Sequence, residues 1–261
     1  MKTPPIPEPA HLEADLKTLG LPAVSASWKR LAEEAVRTRR PYPEYLADLA
    51  SLEVAGRRER RIERRMSDAR FPVLKTLDAF DFLAQPTLDR DHVLELARAE
   101  FVAVHRNVVL VGGVGTGKTH LAIALGIACC QREHRVRFTT AAELTNALVE
   151  AKAVGRLSRK LEQFARFDVV ILDELGYVPF DKQGADLLFG FITRVYERRS
   201  LIVTTNLAFA QWDQVFLDAT AAAAVIDRVM HHAAILKTEG SSFRLKQARE
   251  ARPRRKEASA K

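Results

Sequence analysis

Apolar side chains recur at helical spacing through the first part of the chain. Three stripes have most of their apolar positions three or four residues apart: Leu12, Leu16 and Leu19; Trp28, Leu31, Ala35 and Val36; and Tyr42, Tyr45, Leu49 and Leu52. This period predicts three helices. Pro41 and Pro43 favour the start of the third helix, which is predicted to end at about residue 70 because Phe71-Pro72 follows. Residues 11–70 are therefore predicted to form a small all-helical module.

From about residue 89 onward, short apolar runs rich in β-branched residues alternate with helical patterns. The runs predict strands at residues 107–111, 135–139, 168–172, 201–205 and 233–237. Continuous apolar strands separated by helices indicate a parallel sheet that is covered on both faces. The predicted fold class is therefore α/β, with a parallel sheet flanked by helices in residues 89–246 and the small all-helical module before it.

Three further segments complete the predicted domain organisation. Residues 71–88 contain several large apolar side chains and little glycine or serine, which predicts an ordered linker. Residues 1–10 contain four prolines, and residues 247–261 are basic and polar. Both of these end segments are predicted to be disordered tails.

Composition limits the classes of protein to consider. Apolar residues make up 47% of the 261 residues, which is enough for a buried α/β core. No apolar run approaches the roughly 20 residues of a membrane-spanning helix, and the first ten residues lack a secretory signal. Cys129 and Cys130 are neighbours on a predicted helix and point apart, which disfavours a disulfide between them. We therefore expect a cytoplasmic protein with reduced thiols and no membrane partner.

The segment GGVGTGKT at residues 112–119 has the pattern G-x-x-x-x-G-K-T between a predicted strand and a predicted helix. Glycines in such a loop allow backbone N–H groups to surround a phosphate at a helix N-terminus. The predicted phosphate-binding residues are Gly112, Gly113, Val114, Gly115, Thr116, Gly117, Lys118, Thr119 and His120. Lys118 is expected to reach the β- and γ-phosphates, and the Thr119 hydroxyl to hold Mg²⁺. The segment predicts that the chain binds a nucleoside triphosphate.

Polar side chains follow two later strands of the predicted sheet. Asp173 and Glu174 end the run VVILDEL, where Asp173 is predicted to bind Mg²⁺ through water and Glu174 to act as a general base. The alternative is that the two acids cap a helix. Asn206 follows the strand LIVTT and would orient the attacking water if its strand neighbours that of Asp173; otherwise it forms a turn. Glu174 favours a hydrolytic ATPase, because many kinases and GTPases lack this acid.

Two arginines lie in the last part of the chain, Arg228 in AVIDRVMHH and Arg244 in GSSFRLK. An arginine can neutralise the charge that develops on a transferred phosphoryl group, either in its own chain or in a neighbouring one. A surface position is the ordinary alternative for any single arginine, and the residues alone leave both interpretations open.

The formal net charge of +8 suggests a polyanionic partner. One basic stripe, on a helical stretch after the second strand, consists of Lys152, Arg156, Arg159 and Lys160. A second basic group, in the run RRERRIERR, includes Arg57, Arg58, Arg61 and Arg65. Glu53 lies four residues before Arg57 and can pair with it. Each group either contacts nucleic-acid phosphates or forms a solvated face.

The motifs GGVGTGKTHLAIALG, VVILDELGYVPF, YERRSLIVTTN, DRVMHH and SSFRL, in this order, resemble those of AAA+ ATPases of the initiator and helicase-loader clade. More narrowly, the chain is similar to the IstB-like helper ATPases of bacterial insertion sequences. The similarity covers nearly all of residues 11–246 and includes the arginine-rich junction at residues 57–82. It implies an AAA+ P-loop sheet with the strand order typical of ASCE NTPases, preceded by a small all-helical domain.

The resemblance also implies a role for each site residue. Lys118 and Thr119 match Walker A, Asp173 and Glu174 match Walker B, Asn206 matches sensor 1, Arg228 matches the arginine finger of the adjacent subunit, and Arg244 matches sensor 2. Arg198 and Arg199 are the alternative finger residues. Because only a short stretch follows Arg244 in this sequence, we do not expect the helical lid of other AAA+ proteins here. The clade lines a DNA channel with the region of the first basic stripe, which favours DNA contact there.

We therefore expect an ATP-dependent helper of transposition that uses ATP and Mg²⁺ and oligomerises on double-stranded DNA with little sequence preference. It would regulate target choice and stimulate a cognate transposase without transferring strands itself. A replicative helicase loader of the same clade is the alternative, because its ATPase core would look alike. A small-molecule P-loop kinase is a third hypothesis, which the Asp-Glu pair and the basic surfaces disfavour.

Overall fold

The computed structural model describes residues 11–177, 179–216 and 219–240. Contacts between residues divide the chain into two compact units, Met1–Arg64 and Arg65–Lys261. The sequence placed the end of its helical module at residue 70, six positions beyond this division.

The first unit is helical, and its helices correspond to the three apolar stripes. They are α1 (Leu12–Thr18), α2 (Pro22–Thr38) and α3 (Tyr42–Ala69), the last of which contains the division between the units. Pro22 occupies the first turn of α2, where its missing N–H costs no hydrogen bond. The end predicted for the third helix is confirmed to within one residue.

The core of the first unit is small. Leu16, Val24 and Trp28 are buried together. Three stripe residues expected to face this core are exposed instead: Leu19 is 67% exposed, Val36 is 50% exposed and Tyr42 is 89% exposed. For two of them the reason is positional, because Leu19 lies just beyond the end of α1 and Tyr42 is the first residue of α3.

A buried carboxylate holds two helices of this unit together. Glu53, 4% exposed, accepts hydrogen bonds at Oε2 from the N–H groups of Ala23 (2.9 Å) and Val24 (3.3 Å) at the start of α2. Its Oε1 accepts from Arg57 (3.2 Å) and Arg60 (2.9 Å), so the predicted Glu53–Arg57 pair is confirmed. Burial alone would raise the pKa of Glu53, but these hydrogen bonds outweigh it and hold the pKa below its ordinary value.

The second unit contains the strands and the remaining helices. Its strands are β1 (Val108–Gly112), β2 (Val136–Thr140), β3 (Val169–Leu175), β4 (Ser200–Thr205) and β5 (Ala234–Thr238). Its helices are α4 (Arg90–Leu96), α5 (Lys118–Gln131), α6 (Ala141–Ala153), α7 (Leu157–Ala165), α8 (Lys182–Val195), α9 (Asp213–Phe216) and α10 (Ala219–Met230). Short 3-10 turns occur at Phe82–Ala84, Glu100–Val102 and Phe209–Gln211.

The described strands form one five-stranded sheet in the order β2-β3-β4-β1-β5, and every pairing is parallel. The predicted α/β fold class is therefore confirmed. Each strand lies within one residue of its predicted limits, except that β3 runs on to Leu175, three residues beyond the apolar run.

Helices cover both faces of the sheet, as the continuous apolar strands predicted. On β1, Val108 and Leu110 pack in one core cluster with the residues of α5, whereas Val109 packs in the other cluster with residues of α6 and α8. Successive strand side chains point to opposite faces, so each strand contributes to both clusters. The sheet is therefore buried on both sides, and its strand ends remain available for chemistry.

The two cysteines are both buried on α5 as free thiols. Burial raises the pKa of both, that of Cys130 to about 12, so neither forms a reactive thiolate near neutral pH. Across the described part of the chain, every helix is too short or too polar to span a lipid bilayer.

Candidate active site

The carboxyl ends of β3, β4 and β1 form the centre of the candidate site. Because β4 lies between β3 and β1, the loop after β1, the carboxylates of β3 and Asn206 after β4 meet at one edge of the sheet. The Asn206 prediction required its strand to neighbour that of Asp173, and this pairing is confirmed. The role of Asn206 in orienting water stays a prediction.

The loop between β1 and α5 has the backbone that its glycines predict. Gly115 and Gly117 have φ values of 79° and 97°, a conformation that favours glycine. At Gly112, a Cβ atom would collide with the carbonyl oxygen of Thr238 on β5. α5 begins at Lys118 with no side-chain cap, so the N–H groups of its first turn are directed into the loop. Such a terminus favours an anion.

Lys118 lies over this loop. Its Nζ donates hydrogen bonds to the carbonyl oxygens of Gly112 (2.7 Å) and Gly113 (2.6 Å). The ammonium group is thus held at the carboxyl end of β1, against the start of the loop. A phosphate in the loop would meet both the amides and this charge.

Asp173 is the most enclosed acid of the site, at 3% exposure. The hydroxyl of Thr119 donates to its two carboxylate oxygens at 3.0 and 3.1 Å. A second hydroxyl, that of Thr204 on β4, donates to Asp173 Oδ1 at 2.5 Å. Mg²⁺ is held in proteins by one or two carboxylates together with phosphate oxygens and water. The hydroxyl oxygen of Thr119 and the carboxylate oxygens of Asp173 are therefore suitable ligands for this ion.

Glu174 differs from Asp173 in exposure and in backbone conformation. Its side chain is exposed, and its backbone has a φ of 60°, in the left-handed region. The pairing of β3 with β4 shifts here, because three steps from Leu172 to Leu175 face only two steps on β4. This is a β-bulge, with one extra residue on β3. The helix-cap alternative for the two acids does not hold, since both lie within a strand.

The segment before α4 forms a wall of the site that the sequence did not predict. A cavity of 360 Å³ is lined on one side by residues 115–120, from the loop and the first turn of α5, and on the other by Lys75, Ala79, Phe80, Asp81, Ala84 and Gln85. The apolar residues of 71–88 predicted an ordered segment. Their sequence pattern did not indicate that this segment packs against the loop after β1. This wall supplies both an aromatic ring and polar groups to the cavity.

Phe80 and His120 join the wall to the loop. Their rings meet edge to face with centroids 5.2 Å apart, and a Cβ at Gly117 would lie 2.8 Å from Phe80. His120 Nε2 is 2.8 Å from the carbonyl oxygen of Thr76, to which it donates in the matching tautomer. Burial lowers the pKa of His120, Lys75 lowers it further, and the bond to Thr76 only partly opposes this. His120 therefore joins the wall to the start of α5, and its contact with a nucleotide stays a prediction.

The candidate arginine finger, Arg228, lies on α10 and is partly buried. Its guanidinium donates to the carbonyl oxygen of Ala224 (2.9 Å) and lies over the ring of Phe189, 5.2 Å from the centroid. Of the alternative pair, Arg199 donates to the carbonyl oxygen of Ala165, and Arg198 is exposed. Action on a neighbouring subunit stays a prediction for all three. Arg244 lies outside the described residues, as do residues 1–10 and 247–261.

The first basic stripe is not on one continuous helix, and this expectation was wrong. α6 ends at Ala153, α7 begins at Leu157, and Gly155 between them has a φ of 68°. The break follows from glycine, which readily adopts the left-handed conformation that ends a helix. Lys152 therefore lies on a different helix from Arg159 and Lys160.

The break creates a groove with a volume of 690 Å³. The cationic side chains along it are Arg156, Arg159, Lys160 and Arg166, and Glu150 and Glu162 also line it. Lys152 is not among the residues that line the groove. The structure therefore brings together three of the four predicted residues and adds Arg166, which the spacing rule missed.

The second basic group is partly engaged within the protein. Arg57 donates to Glu53 and to the carbonyl oxygen of Gly20 (3.2 Å), and Arg65 donates to the carbonyl oxygen of Glu133 (3.2 Å). Arg58 and Arg61 are exposed on α3 and also take part in interactions. Nucleic-acid contact by this group stays a prediction.

Comparison with known proteins gives a consistent result. A protein-family model described as IstB-like ATP binding protein matches residues 14–251. A Pseudomonas aeruginosa protein of insertion sequence IS21, named as an ATP-binding protein, is 42% identical over 241 residues, covering 92% of this chain and 91% of that protein. Its counterpart from insertion sequence IS5376 of Geobacillus stearothermophilus is 36% identical over 231 residues, covering 88% and 92%.

Among solved structures, AMPPCP-bound DnaA from Aquifex aeolicus matches with a TM-score of 0.55 and 21% identity, covering 69% of this chain and 55% of that one. At this identity the likeness shows a shared fold, that of AAA+ proteins. The fold that the resemblance implied is thus confirmed.

Proposed function

Because the chain belongs to the family of IstB-like ATP binding proteins of insertion sequences, we propose that it is an ATPase that assembles on DNA and assists transposition. One observation carries the proposal. The N-terminus of α5, the Thr119–Asp173 pair and the exposed Glu174 lie at the carboxyl ends of β1 and β3, on either side of β4 and beside a cavity with an aromatic wall. This arrangement suits a nucleoside triphosphate, which we take to be ATP.

In the proposed reaction the loop amides and Lys118 hold the β- and γ-phosphates. Thr119 and Asp173 would hold Mg²⁺, which neutralises charge on the phosphate oxygens when bound. Asn206 orients a water molecule, and the Glu174 carboxylate accepts its proton as the water oxygen bonds to the γ-phosphorus. The bond from that phosphorus to the bridging oxygen breaks, giving ADP and inorganic phosphate.

We further propose that nucleotide sites lie between subunits of a homo-oligomer, with Arg228 facing the nucleotide of its neighbour. Its position near the end of α10 supports this, because α10 leads directly into β5 at the edge of the sheet. An arginine brought to the γ-phosphate by a second subunit would link occupancy of the site to assembly.

The DNA contact is proposed for the groove between α6 and α7 and for the arginines of α3. Four cations in one groove suit the backbone phosphates of duplex DNA, which predicts little sequence preference. The relatives named for insertion sequences favour a transposase as the protein partner over a helicase. We place the protein in the cytoplasm, consistent with its free thiols.

Glu174→Gln tests the chemical step. This change keeps the size of the side chain and removes the base, so ATP binding should persist while hydrolysis falls by about 10²–10⁴-fold. Phosphate release and binding of a fluorescent ATP analogue measure the two properties. Glu95→Gln, at an exposed position on α4, is the matched control. Hydrolysis by Glu174→Gln at the wild-type rate would remove Glu174 from the mechanism.

A further inference from the structure

Asp173 and Glu174 are adjacent, yet the proposed reaction gives them different tasks. In a regular strand, consecutive side chains point to opposite faces of the sheet, and both faces of this sheet are covered by helices. The bulge changes this alternation at the strand end. It leaves Asp173 buried against Thr119 while the carboxylate of Glu174 is exposed.

This bulge needs support because Glu174 is in the left-handed region, with a φ of 60°. A residue that carries a Cβ adopts this conformation at a cost in free energy, and a bulge also leaves its extra residue without a regular partner in the ladder. Hydrogen bonds from the neighbouring strand, β4, offset this cost in free energy. Thr204, 1% exposed, lies on β4 opposite the bulge.

The Thr204 hydroxyl bonds to both members of the acidic pair. It accepts a hydrogen bond from the backbone N–H of Glu174 at 2.9 Å and donates one to Asp173 Oδ1 at 2.5 Å. A hydroxyl has one donor hydrogen and two acceptor sites, so both bonds form together without competition. Valine, which has the same shape, can make neither of them.

We propose that Thr204 is a positioning residue that sets the geometry of both carboxylates. Its hydroxyl fixes the turn of the backbone at Glu174 and the orientation of the Asp173 carboxylate from a single point. This inference rests on the proposed ATP hydrolysis at these two acids. The Thr204 hydroxyl bonds to Asp173 and Glu174. Among the described residues it makes no hydrogen bond to Lys118 or to the glycine loop, so its loss should affect catalysis more than nucleotide binding.

The test compares Thr204→Val, which removes the hydroxyl, with Thr204→Ser, which keeps it. We expect Thr204→Val to lower kcat for ATP hydrolysis by about tenfold to 100-fold, as for other groups that orient the residues of a site. Affinity for ATP measured without Mg²⁺ should stay within twofold of the wild-type value. Thr204→Ser should restore most of kcat. A merely structural residue would not produce this division between kcat and affinity.

Thr145→Val is the matched control. The hydroxyl of Thr145 is also buried, at 4% exposure, but has no hydrogen-bond partner within the described ranges. This variant undergoes the same chemical change and should hydrolyse ATP at the wild-type rate. Thermal unfolding of all variants identifies any that fail to fold; if Thr204→Val is among them, Thr204→Ala, which also lacks the hydroxyl, takes its place in the comparison with Thr204→Ser.

Hydrogen exchange supplies a readout that does not depend on ATP. Loss of the Thr204 hydroxyl leaves the Glu174 amide without its acceptor, so peptides that cover residues 172–176 should exchange faster in Thr204→Val and normally in Thr204→Ser. If exchange and kcat both match the wild type in Thr204→Val, the inference is overturned. If the wild-type protein shows this protection but hydrolyses no ATP, the proposed function fails and the support of the bulge stands.

Discussion

Lys118 places a positive charge against the loop after β1. Its Nζ is held by the carbonyl oxygens of Gly112 and Gly113, and on nucleotide binding it would exchange these for phosphate oxygens. Hydrogen bonds to charged groups contribute about 1.5–3 kcal/mol. Lys118→Ala should therefore raise the Kd for a fluorescent ATP analogue by about tenfold to 100-fold.

The control for this change is Lys182→Ala, which removes an exposed lysine at the start of α8. It should leave the Kd unchanged. An unaltered affinity in Lys118→Ala would mean that the loop does not hold the phosphates, and the position of the candidate site would then be wrong.

Single residues also show what the sequence could not predict. The loop glycines, Asp173 and Glu174 were identified because their spacing reflects a local backbone requirement. Thr204 and Phe80 were not, because each acts through contacts made across the sheet or from a distant segment. Such contacts depend on the strand order and on the path of residues 71–88. No local sequence pattern indicates either of these.

At the scale of elements, Glu53 connects α2 to α3 through two amide and two arginine hydrogen bonds. Glu53→Gln removes the charge and weakens these bonds, so the free energy of unfolding of the first unit should fall by about 1–3 kcal/mol. Trp28 is buried in this unit and reports its unfolding by fluorescence in urea, in a Trp212→Phe background.

The same carboxylate predicts a pH dependence. The folded-state pKa of Glu53 is lowered, so its contribution is fully present above the ordinary carboxyl pKa and is lost as the pH falls through the folded value. Glu53→Gln should therefore lose less stability than the wild type on acidification below the ordinary pKa. Glu59→Gln, exposed on the same helix, should behave as the wild type. Parallel acid profiles for wild type and Glu53→Gln would contradict this role.

The sequence predicted helices and strands correctly where a local pattern determines them. It misplaced their ends where tertiary contacts or a single glycine determine them. Apolar runs located every described strand, but β3 continued through two acids because β4 pairs with it to Leu175. Basic spacing suggested one helix across residues 152–160, where Gly155 instead ends α6. The spacing of side chains shows which residues would share one face of a helix. It cannot by itself show that a glycine within that stretch ends the helix.

At the scale of the whole molecule, the basic groove predicts how DNA binding depends on salt. Each phosphate contact releases counterions, so affinity should fall steeply as salt rises. The double change Arg156→Ala and Arg159→Ala should weaken binding equally for different duplex sequences and reduce the slope of log K against log salt by about 2. Fluorescence anisotropy with labelled duplexes measures both effects.

Lys17→Ala together with Arg30→Ala is the control, because these cations lie on α1 and α2 and belong to neither basic group. It should leave the slope close to the wild-type value. A groove variant with an unchanged slope would place the DNA contact elsewhere on the molecule.

The central claim is that ATP at the loop after β1 governs assembly on double-stranded DNA. Sedimentation velocity of the protein with a labelled duplex tests it most directly, with a non-hydrolysable ATP analogue in one sample and ADP in the other, for the wild type and for Arg228→Ala. We predict large protein–DNA complexes with the analogue, smaller ones with ADP, and loss of the large species in Arg228→Ala. A wild-type protein that sediments as a monomer, apart from the duplex, with either nucleotide would contradict the account.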